Sequence, residues 1–328
     1  MAPLFQSRML AFGLGLAALV AAVSPAPGQG RASRIAILGP AEEPRFSQIA
    51  AGLEEGLGEL GFPKGTLEIA RAKVERGDHE AARAAVTGFV QGGVAVTFVI
   101  GSELARVARQ VSSELPIVFI TPGDPVASGL VTSLSRPGGH TTAMTFEFPE
   151  LSAKRLEFLK IILPQAERVL VLHDPRDGSS RQALAAARQA ALALGVSLIE
   201  REVISPNDVA RGLEALGTAQ ALLNIPGGAP SGAYSDIIRV ATERGVPTVF
   251  HGRTESTEGA LASYGASDIT VARQAARLVA KILRGERAGD LPVERPTNLA
   301  LTINLKTAKA LGLEVPPTLL ARADDVIE

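Results

Sequence analysis

Short apolar runs alternate with amphipathic stretches along almost the whole chain. Residues 34–39 form an apolar run that ends in Gly, which predicts a buried strand, and residues 46–60 carry apolar side chains at helical spacing before Gly61. Short connections between such strands and helices predict a parallel sheet with helices on both faces. The pattern continues with predicted strands and helices in the order strand 67–74, helix 79–91, strand 94–100, helix 104–111, strand 116–120 and strand 141–146.

The same alternation starts again after a turn-rich stretch, residues 121–139, and continues to residue 250. We therefore predict an α/β fold of two Rossmann-like lobes with open parallel sheets, joined by a hinge that the chain crosses more than once. A late amphipathic helix, residues 269–283, must dock on an existing lobe. The predicted boundaries are 31–146 plus about 267–290 for lobe 1, and 147–266 plus about 291–328 for lobe 2.

The first residues have the pattern of a targeting segment. Arg8 is followed by fifteen uncharged residues, 9–23, and then by small and helix-breaking residues. We predict a signal peptide over residues 1–28, because the apolar run is shorter than the ~20 residues of a membrane span. An uncleaved membrane anchor is the alternative. The chain has no Cys to carry a lipid, so a free periplasmic protein without membrane insertion of the mature chain is expected.

Composition excludes several function classes. The 33 Lys+Arg against 34 Asp+Glu argue against nucleic-acid binding by phosphate neutralisation, and 4% aromatic residues without Trp argue against a base-stacking surface. The chain has no Cys, and no two of its four His lie at a metal-ligand spacing. We therefore expect neither a nucleic-acid partner nor a metal site.

Enzyme motifs are also missing. The sequence has no G-x-G-x-x-G after a strand, no phosphate loop of the form G-x-x-x-x-G-K-[ST], and no G-x-S-x-G elbow. Gly52, Gly56 and Gly58 lie inside a predicted helix, where they are typical of a packing face. We therefore predict a protein that is not an enzyme and needs no cofactor. An exported enzyme on a doubly wound fold remains a further hypothesis.

Loops at the carboxyl ends of the predicted strands are the candidate binding site. In open parallel sheets these loops and the helix N-termini present free N–H groups to ligands. Arg253 is the strongest candidate for a ligand carboxylate, because guanidinium binds it with two hydrogen bonds. Each candidate has an alternative interpretation as a turn former, a helix cap or, for Arg253, a surface ion pair. The candidate ligand-binding residues are Gly39, Pro40, Ala41, Gly101, Ser102, Thr121, Asp124, Asp174, Ser179, Asn224, Gly227, His251, Arg253 and Tyr264.

Three stretches carry a family resemblance. Residues 123–139, here called the signature loop, read GDPVASGLVTSLSRPGG, and residues 151–157 read LSAKRLE. Both resemble motifs of the ABC transporter substrate-binding proteins that include tryptophan and tyrosine binders. The tail from Gly285 to Glu328 resembles the same family, so the resemblance covers essentially the whole mature chain.

The resemblance implies a type I-like periplasmic binding protein with its ligand in the interlobe cleft. It implies a monomer that captures a small organic ligand, an amino acid or related carboxylate, and delivers it to an ABC permease in the inner membrane. The hinge is expected near residues 146–150 and 264–267. A ligand-sensing module that signals to a membrane receptor or kinase is the alternative.

Two departures from the family pattern bear on the ligand. His140 follows the signature loop where the family has Asn, and residues 41–45 read AEEPR where relatives carry Ser or His and an aromatic residue. Together with the low aromatic content, these departures indicate an altered specificity pocket, and an aromatic amino acid is kept as one of the candidate ligands.

Overall fold

The structure is a computed structural model that describes residues 33–41, 45–75, 77–147 and 149–328. The predicted signal peptide lies outside the described residues. Within these ranges, no helix is long and apolar enough to cross a membrane.

Two sheets form the framework of the molecule. The first sheet has the strand order β2-β1-β3-β4-β5, and the second has the order β12-β11-β10-β9-β8-β6-β7. The strands are β1 (Ser33–Pro40), β2 (Leu67–Val74), β3 (Val96–Ile100), β4 (Ile117–Pro122), β5 (Thr141–Glu147), β6 (Arg168–His173), β7 (Ser197–Glu202), β8 (Ala221–Asn224), β9 (Thr248–Phe250), β10 (Ala262–Gly265), β11 (Ala300–Asn304) and β12 (Asp325–Ile327).

Helices cover both faces of each sheet. They are α1 (Arg45–Glu59), α2 (His79–Gln91), α3 (Ser102–Val111), α4 (Pro149–Ile162), α5 (Gly178–Leu194), α6 (Pro206–Leu213), α7 (Gly228–Gly232), α8 (Tyr234–Glu243), α9 (Arg253–Thr257), α10 (Asp268–Leu283), α11 (Leu305–Ala310) and α12 (Pro317–Leu320), with short 3₁₀ helices at Glu214–Thr218 and Ala288–Asp290.

The prediction of a two-lobed α/β fold is confirmed. All strand pairs of the first sheet are parallel, and β3 is buried along its whole length because helices cover both of its faces. Two apolar layers flank each sheet, one on either face. The carboxyl ends of the parallel strands therefore carry the exposed loops of each lobe.

Polar caps fix where several helices begin. Asp78, Asp177, Ser205 and Asn304 each accept a hydrogen bond from a backbone N–H in the first turn of the helix that follows. Such a cap satisfies a donor that has no partner inside the helix, so the strand-to-helix loops have defined ends.

The late helix α10 returns to lobe 1 and packs against α1. A Cβ on Gly52 would lie 2.6 Å from the Ile269 carbonyl oxygen, and a Cβ on Gly56 would collide with the Arg273 carbonyl. The glycines allow the two backbones to approach closely, which agrees with the packing face predicted for them. Gly58 has open space around it and takes no part in this contact.

The chain leaves lobe 1 a few residues after the boundary predicted at about residue 290. Thr142 Oγ1 donates a hydrogen bond to the Leu291 carbonyl at 2.8 Å, and the Glu294 N–H donates to the Ala143 carbonyl at 2.9 Å. Residues 291–294 thus extend the first sheet beside β5, although the sequence analysis assigned them to lobe 2. An extended segment can satisfy its backbone at this open sheet edge, so the chain leaves lobe 1 only after Glu294.

The second sheet is mixed rather than wholly parallel. β11 runs antiparallel to β10, and β12 runs parallel to β11. The chain enters β11 from lobe 1 and not through a helix on the same sheet, so the crossover rule for parallel strands does not set its direction. The chain returns to lobe 1 between the end of β10 at Gly265 and the start of α10 at Asp268, which overlaps the hinge expected near residues 264–267.

Candidate functional site

A cavity of about 150 Å³ lies between the two lobes at the carboxyl ends of their strands. Residues that follow β1, β2 and β3 meet residues that follow β6, β8 and β9 there, as expected for facing open sheets. Its lining residues are Pro40, Arg45, Val74, Glu75, Gly77, Ile100, Gly101, Ser102, Glu103, Leu104, Ile120 and Phe146 from lobe 1, and Asp177, Pro226, Gly227, Ser231 and His251 from lobe 2.

The N-terminus of α3 forms part of the lobe 1 wall. Gly101 precedes the helix with φ of 100°, a conformation that favours glycine, and no side chain caps the first turn. The Ser102 hydroxyl forms a hydrogen bond with the hydroxyl of the buried Thr121 and does not cap the helix. The first N–H groups of α3 are therefore available to a polar atom in the cavity.

Charged side chains of lobe 1 stand around this helix end. The Arg45 Nε donates to Asp268 Oδ2 at 2.7 Å, which ties the guanidinium to α10. Glu103 Oε1 lies 2.5 Å from His79 Nε2 at an exposed position. Glu75 is exposed at the end of β2.

The lobe 2 wall is formed by Asp177 and a glycine loop. Asp177 Oδ1 accepts hydrogen bonds from the N–H groups of Ser179 at 2.8 Å and Ser180 at 3.2 Å. Gly227 has φ of 105°, and a Cβ there would lie 3.0 Å from the Asp177 carboxyl. The Gly227 N–H donates to Ser231 Oγ at 2.8 Å. Glycine at 227 therefore lets the loop pass directly beside the carboxylate.

His251 closes the lobe 2 side with an incompletely satisfied ring. The residue is 7% exposed, and its Nδ1 makes no hydrogen bond. Glu255, also buried, places Oε1 3.4 Å from that nitrogen. A buried ring nitrogen without a hydrogen bond is costly unless a ligand or water completes it, so His251 is a candidate ligand contact.

Five of the fourteen predicted residues meet in the cavity: Pro40, Gly101, Ser102, Gly227 and His251. The others lie behind it or elsewhere. Thr121 lies one layer behind Ser102, and Asn224 is fully buried with no hydrogen bond to its amide atoms. Gly39 packs against Phe46, and Ala41 bonds through its N–H to the Val74 carbonyl without lining the cavity.

Asp174 and Ser179 lie on the lobe 2 side but outside the cavity. Asp174 is buried and bonds through both carboxylate oxygens to Arg176, at 3.1 and 2.9 Å. Burial alone would raise the pKa of the Asp174 carboxyl, but the hydrogen bonds and charge of Arg176 outweigh it and lower this pKa. Ser179 lies against the backbone of Gly123 from lobe 1.

Arg253 and Tyr264 are placed away from the cavity. Arg253 Nε bonds to Asp325 Oδ2 at 2.6 Å and its side chain is 56% exposed, which matches the surface ion pair considered as its alternative. It borders a much smaller hollow beside Arg45. Tyr264 packs edge-to-face on Phe158 with ring centroids 5.1 Å apart, in the second core. Neither Arg253 nor Tyr264 lines the cavity, so their positions do not support a role in ligand binding, and that role stays a prediction.

Most of the charged and apolar lining residues are not among the predicted ones. They lie at or near strand ends just as the predicted residues do, so position along the sequence does not distinguish them. Asp177 had a usable signal, since an Asp before Gly178-Ser179-Ser180 is typical of a helix cap next to a strand end. The missed residues are Arg45, Val74, Glu75, Gly77, Ile100, Glu103, Leu104, Ile120, Phe146, Asp177, Pro226 and Ser231.

The signature loop does not line the cavity. Asp124 Oδ1 accepts hydrogen bonds from the N–H groups of Val126 at 2.7 Å and Ala127 at 3.3 Å, so this predicted ligand residue shapes its own loop. The Gly138 N–H donates to the Gly289 carbonyl at 2.9 Å. Asp124 also borders a separate hollow next to the crossing into α4. The loop therefore connects lobe 1 to the crossing segments.

The second motif, residues 151–157, is also internal. Arg155 is fully buried, and its Nε donates to the Tyr264 carbonyl at 2.7 Å. Next to it, a Cβ on Gly265 would collide with the His251 carbonyl. The arginine thus fixes the end of β10, where the chain leaves lobe 2.

Comparisons with known proteins agree with this architecture. The family described as ABC transporter substrate binding protein matches residues 34–327. A tyrosine-binding protein of Clostridioides difficile is 23% identical over 274 residues, which are 83% of this chain and 79% of the relative.

Solved structures show the same fold. The ABC domain in complex with L-Trp from Streptococcus pneumonia gives a TM-score of 0.83 at 21% identity, covering 90% of this chain and all of that one. A conserved domain protein of Vibrio cholerae gives 0.82 at 25% identity with the same coverage. The ligand-free, open form of a substrate binding protein from Clostridium difficile gives 0.69 at 24% identity, covering 90% of this chain and 99% of that one.

Proposed function

Since this chain belongs to the ABC transporter substrate binding protein family, we propose that it captures a small organic ligand in the interlobe cavity and delivers it to an ABC importer. Such proteins are not enzymes, and their work is reversible binding. The proposal includes export to the periplasm, removal of residues 1–28, a monomeric state and docking on an inner-membrane permease.

One observation carries the proposal: residues of both lobes line the cavity at the strand ends, so only an arrangement with the lobes together completes it. A ligand that contacts both walls binds this arrangement more tightly than a separated one, and therefore shifts the population toward it. The crossings after β5, after β10 and after Glu294 supply the hinge.

The close approach of the lobes supports this interpretation. A Cβ on Gly123 of lobe 1 would collide with Ser179 of lobe 2, so the lobes meet without a gap at this point. The higher TM-score with the L-Trp complex than with the open, ligand-free structure is consistent with lobes that are drawn together.

Thermal unfolding against a library of amino acids, amines, carboxylates and sugars tests ligand capture. A ligand that binds only the native chain at a hundred times its Kd stabilises it by about 2.7 kcal/mol, which raises the melting temperature measurably. Failure of every compound to raise it would contradict the capture of a common solute.

Delivery needs a separate measurement. In cells that lack this protein, uptake of the radiolabelled ligand is expected to fall and to recover when the gene is restored. Binding in solution with unchanged uptake would contradict delivery and favour the sensing alternative. N-terminal sequencing of the protein from the periplasmic fraction tests export and cleavage.

A further inference from the structure

The charge of the cavity is opposite to what a carboxylate ligand needs. Among the described lining residues, Glu75, Glu103 and Asp177 bring three carboxylates, whereas Arg45 brings one guanidinium. That guanidinium already bonds to Asp268 at 2.7 Å, so its charge is compensated from α10. The local field therefore favours a positive group.

The three carboxylates keep most of their capacity to accept hydrogen bonds from a ligand. Glu75 has no ion pair or side-chain hydrogen bond in the described part of the chain. Glu103 contacts the ring of His79 at the rim, and Asp177 uses one oxygen, Oδ1, for the two N–H groups of α5. Charge-assisted hydrogen bonds from an ammonium or guanidinium to such oxygens are the stronger kind.

The three carboxylates come from both lobes, so their charges affect how readily the lobes close. Glu75 and Glu103 come from lobe 1, and Asp177 comes from lobe 2. Bringing the lobes together places like charges around one small space, which opposes closure when the cavity holds no cation. A cationic ligand replaces this repulsion with attraction, so it promotes the closed arrangement.

A second feature of the cavity points to the same kind of ligand. His251 Nδ1 is buried without a hydrogen bond and lies 3.4 Å from the buried Glu255 carboxylate. An additional carboxylate therefore stands directly behind the cavity wall. The ring lines the cavity and offers it a polar contact.

The size and the remaining lining describe the rest of the ligand. An engineered protein cavity of about 150 Å³ holds one benzene ring. The cavity here has the same volume and an apolar wall in lobe 1 made by Val74, Ile100, Leu104, Ile120 and Phe146. A short alkyl chain or a single ring fits this wall.

We propose that the ligand is a small organic cation, an amine or guanidine with a short apolar body, selected by the carboxylates of Glu75, Glu103 and Asp177. This inference rests on the proposed function, since it assumes that the interlobe cavity is where the ligand is captured. It replaces the expected amino acid or carboxylate with a compound of net positive charge.

A matched set of probes isolates the charge. Benzylamine, benzyl alcohol and benzoate share one ring and differ in charge, and butylamine and butyrate form the corresponding aliphatic pair. The exported chain is first unfolded and refolded to remove any co-purified ligand. Each probe is then titrated into it by isothermal calorimetry. We expect each amine to bind at least about tenfold more tightly than its carboxylate, with benzyl alcohol between benzylamine and benzoate.

Matched variants connect the selectivity to the named carboxylates. Glu75→Gln and Glu103→Gln are each expected to weaken amine binding by about tenfold. Asp177→Asn keeps an oxygen that can cap α5 and is expected to act in the same way. Glu114→Gln, on an exposed residue of lobe 1 outside the cavity, is the control and should leave amine affinity unchanged. Melting without ligand verifies that all four variants fold.

The outcomes separate this inference from the proposed function. Tight binding of benzoate, butyrate or L-tryptophan in preference to the amines would overturn the inference and leave capture in the cavity standing. Amine binding that Glu75→Gln, Glu103→Gln and Asp177→Asn leave unchanged would also overturn it. No binding of any amine, amino acid, carboxylate or sugar would contradict both the inference and the proposed function.

Discussion

The signature loop and the cavity wall differ in what their polar groups do. In the signature loop, residues 123–139, polar atoms bond to the loop itself and to neighbouring segments, as Asp124 and Gly138 do. In the cavity wall, the N-terminus of α3 and His251 Nδ1 keep unused hydrogen-bonding capacity. The residues of the signature loop therefore make structural contacts, and the residues that line the cavity lie outside this loop.

This difference predicts two kinds of phenotype. Substitutions in the motifs should lower stability or alter closure, since their side chains and glycines fix the backbone. Substitutions in the cavity wall should change affinity and leave the melting temperature nearly unchanged. The following experiments test this division, beginning with the largest expected effect.

Arg155→Met is expected to destabilise the chain by about 2–3 kcal/mol. The substitution removes the buried hydrogen bond to the Tyr264 carbonyl and leaves that acceptor unsatisfied. Urea unfolding followed by circular dichroism measures the change. Lys154→Met is the control on the same helix. Lys154 makes a partly exposed ion pair with Glu157 and lies over the Phe158 ring, so its loss should cost less than that of Arg155, about 1 kcal/mol. Equal losses in both variants would contradict an internal role for this motif.

Gly123→Ala and Gly129→Ala separate backbone strain from lobe contact. Both glycines have positive φ, 82° and 70°, so each alanine should cost about 1–2 kcal/mol of stability. Only at Gly123 would the new Cβ collide with Ser179 of the other lobe, whereas Gly129 has open space.

We therefore expect Gly123→Ala alone to weaken ligand binding, by about tenfold or more, which corresponds to about 1.4 kcal/mol. Calorimetry with a ligand from the melting screen measures the affinity, and small-angle scattering with that ligand should show a larger radius of gyration for Gly123→Ala. Wild-type affinity and scattering in this variant would refute a closing contact at this point.

His173 is expected to influence stability and not affinity, because it lies at a strand end but outside the cavity. Burial lowers the pKa of His173 from its usual value of 6.5. The unfolded chain then binds a proton more readily than the folded one below about pH 6.5. Stability should be full above that pH and decrease as the pH falls toward the lowered pKa.

Urea unfolding at a series of pH values measures this dependence, and His173→Gln should make it shallower. His140 contributes in the same direction, since burial and Arg109 lower its pKa as well. A dependence of equal steepness in His173→Gln would exclude His173 as its source.

Arg253→Ala is expected to have the smallest effect. Its exposed ion pair with Asp325 contributes less than about 1 kcal/mol, and ligand affinity should stay within about twofold of the wild type. Calorimetry of this variant beside Glu75→Gln compares a residue predicted from sequence with one revealed by the structure. A large loss of affinity in Arg253→Ala would restore it as a ligand contact.

The fold class and most of the longer elements follow from the sequence pattern alone. Helix and strand periodicity is local, so β2 and α2 have the predicted bounds. Short elements such as β10 and β12 were missed, because three or four residues carry too little periodicity and are stabilised by pairing with distant strands. The signature loop also indicates the family from its sequence alone, without its contacts.

Which strand-end residues line the cavity depends on the tertiary structure. Neighbouring residues on a strand point to opposite faces, so Ile120 of β4 lines the cavity whereas Thr121 lies behind it. His251 follows β9 and lines the cavity, whereas Arg253 begins α9 and pairs with Asp325. The charge of the site depends on contacts distant in sequence, such as Arg45 with Asp268. The sequence therefore predicts that a cavity lies at the strand ends, and the contact between the two lobes determines which residues line it.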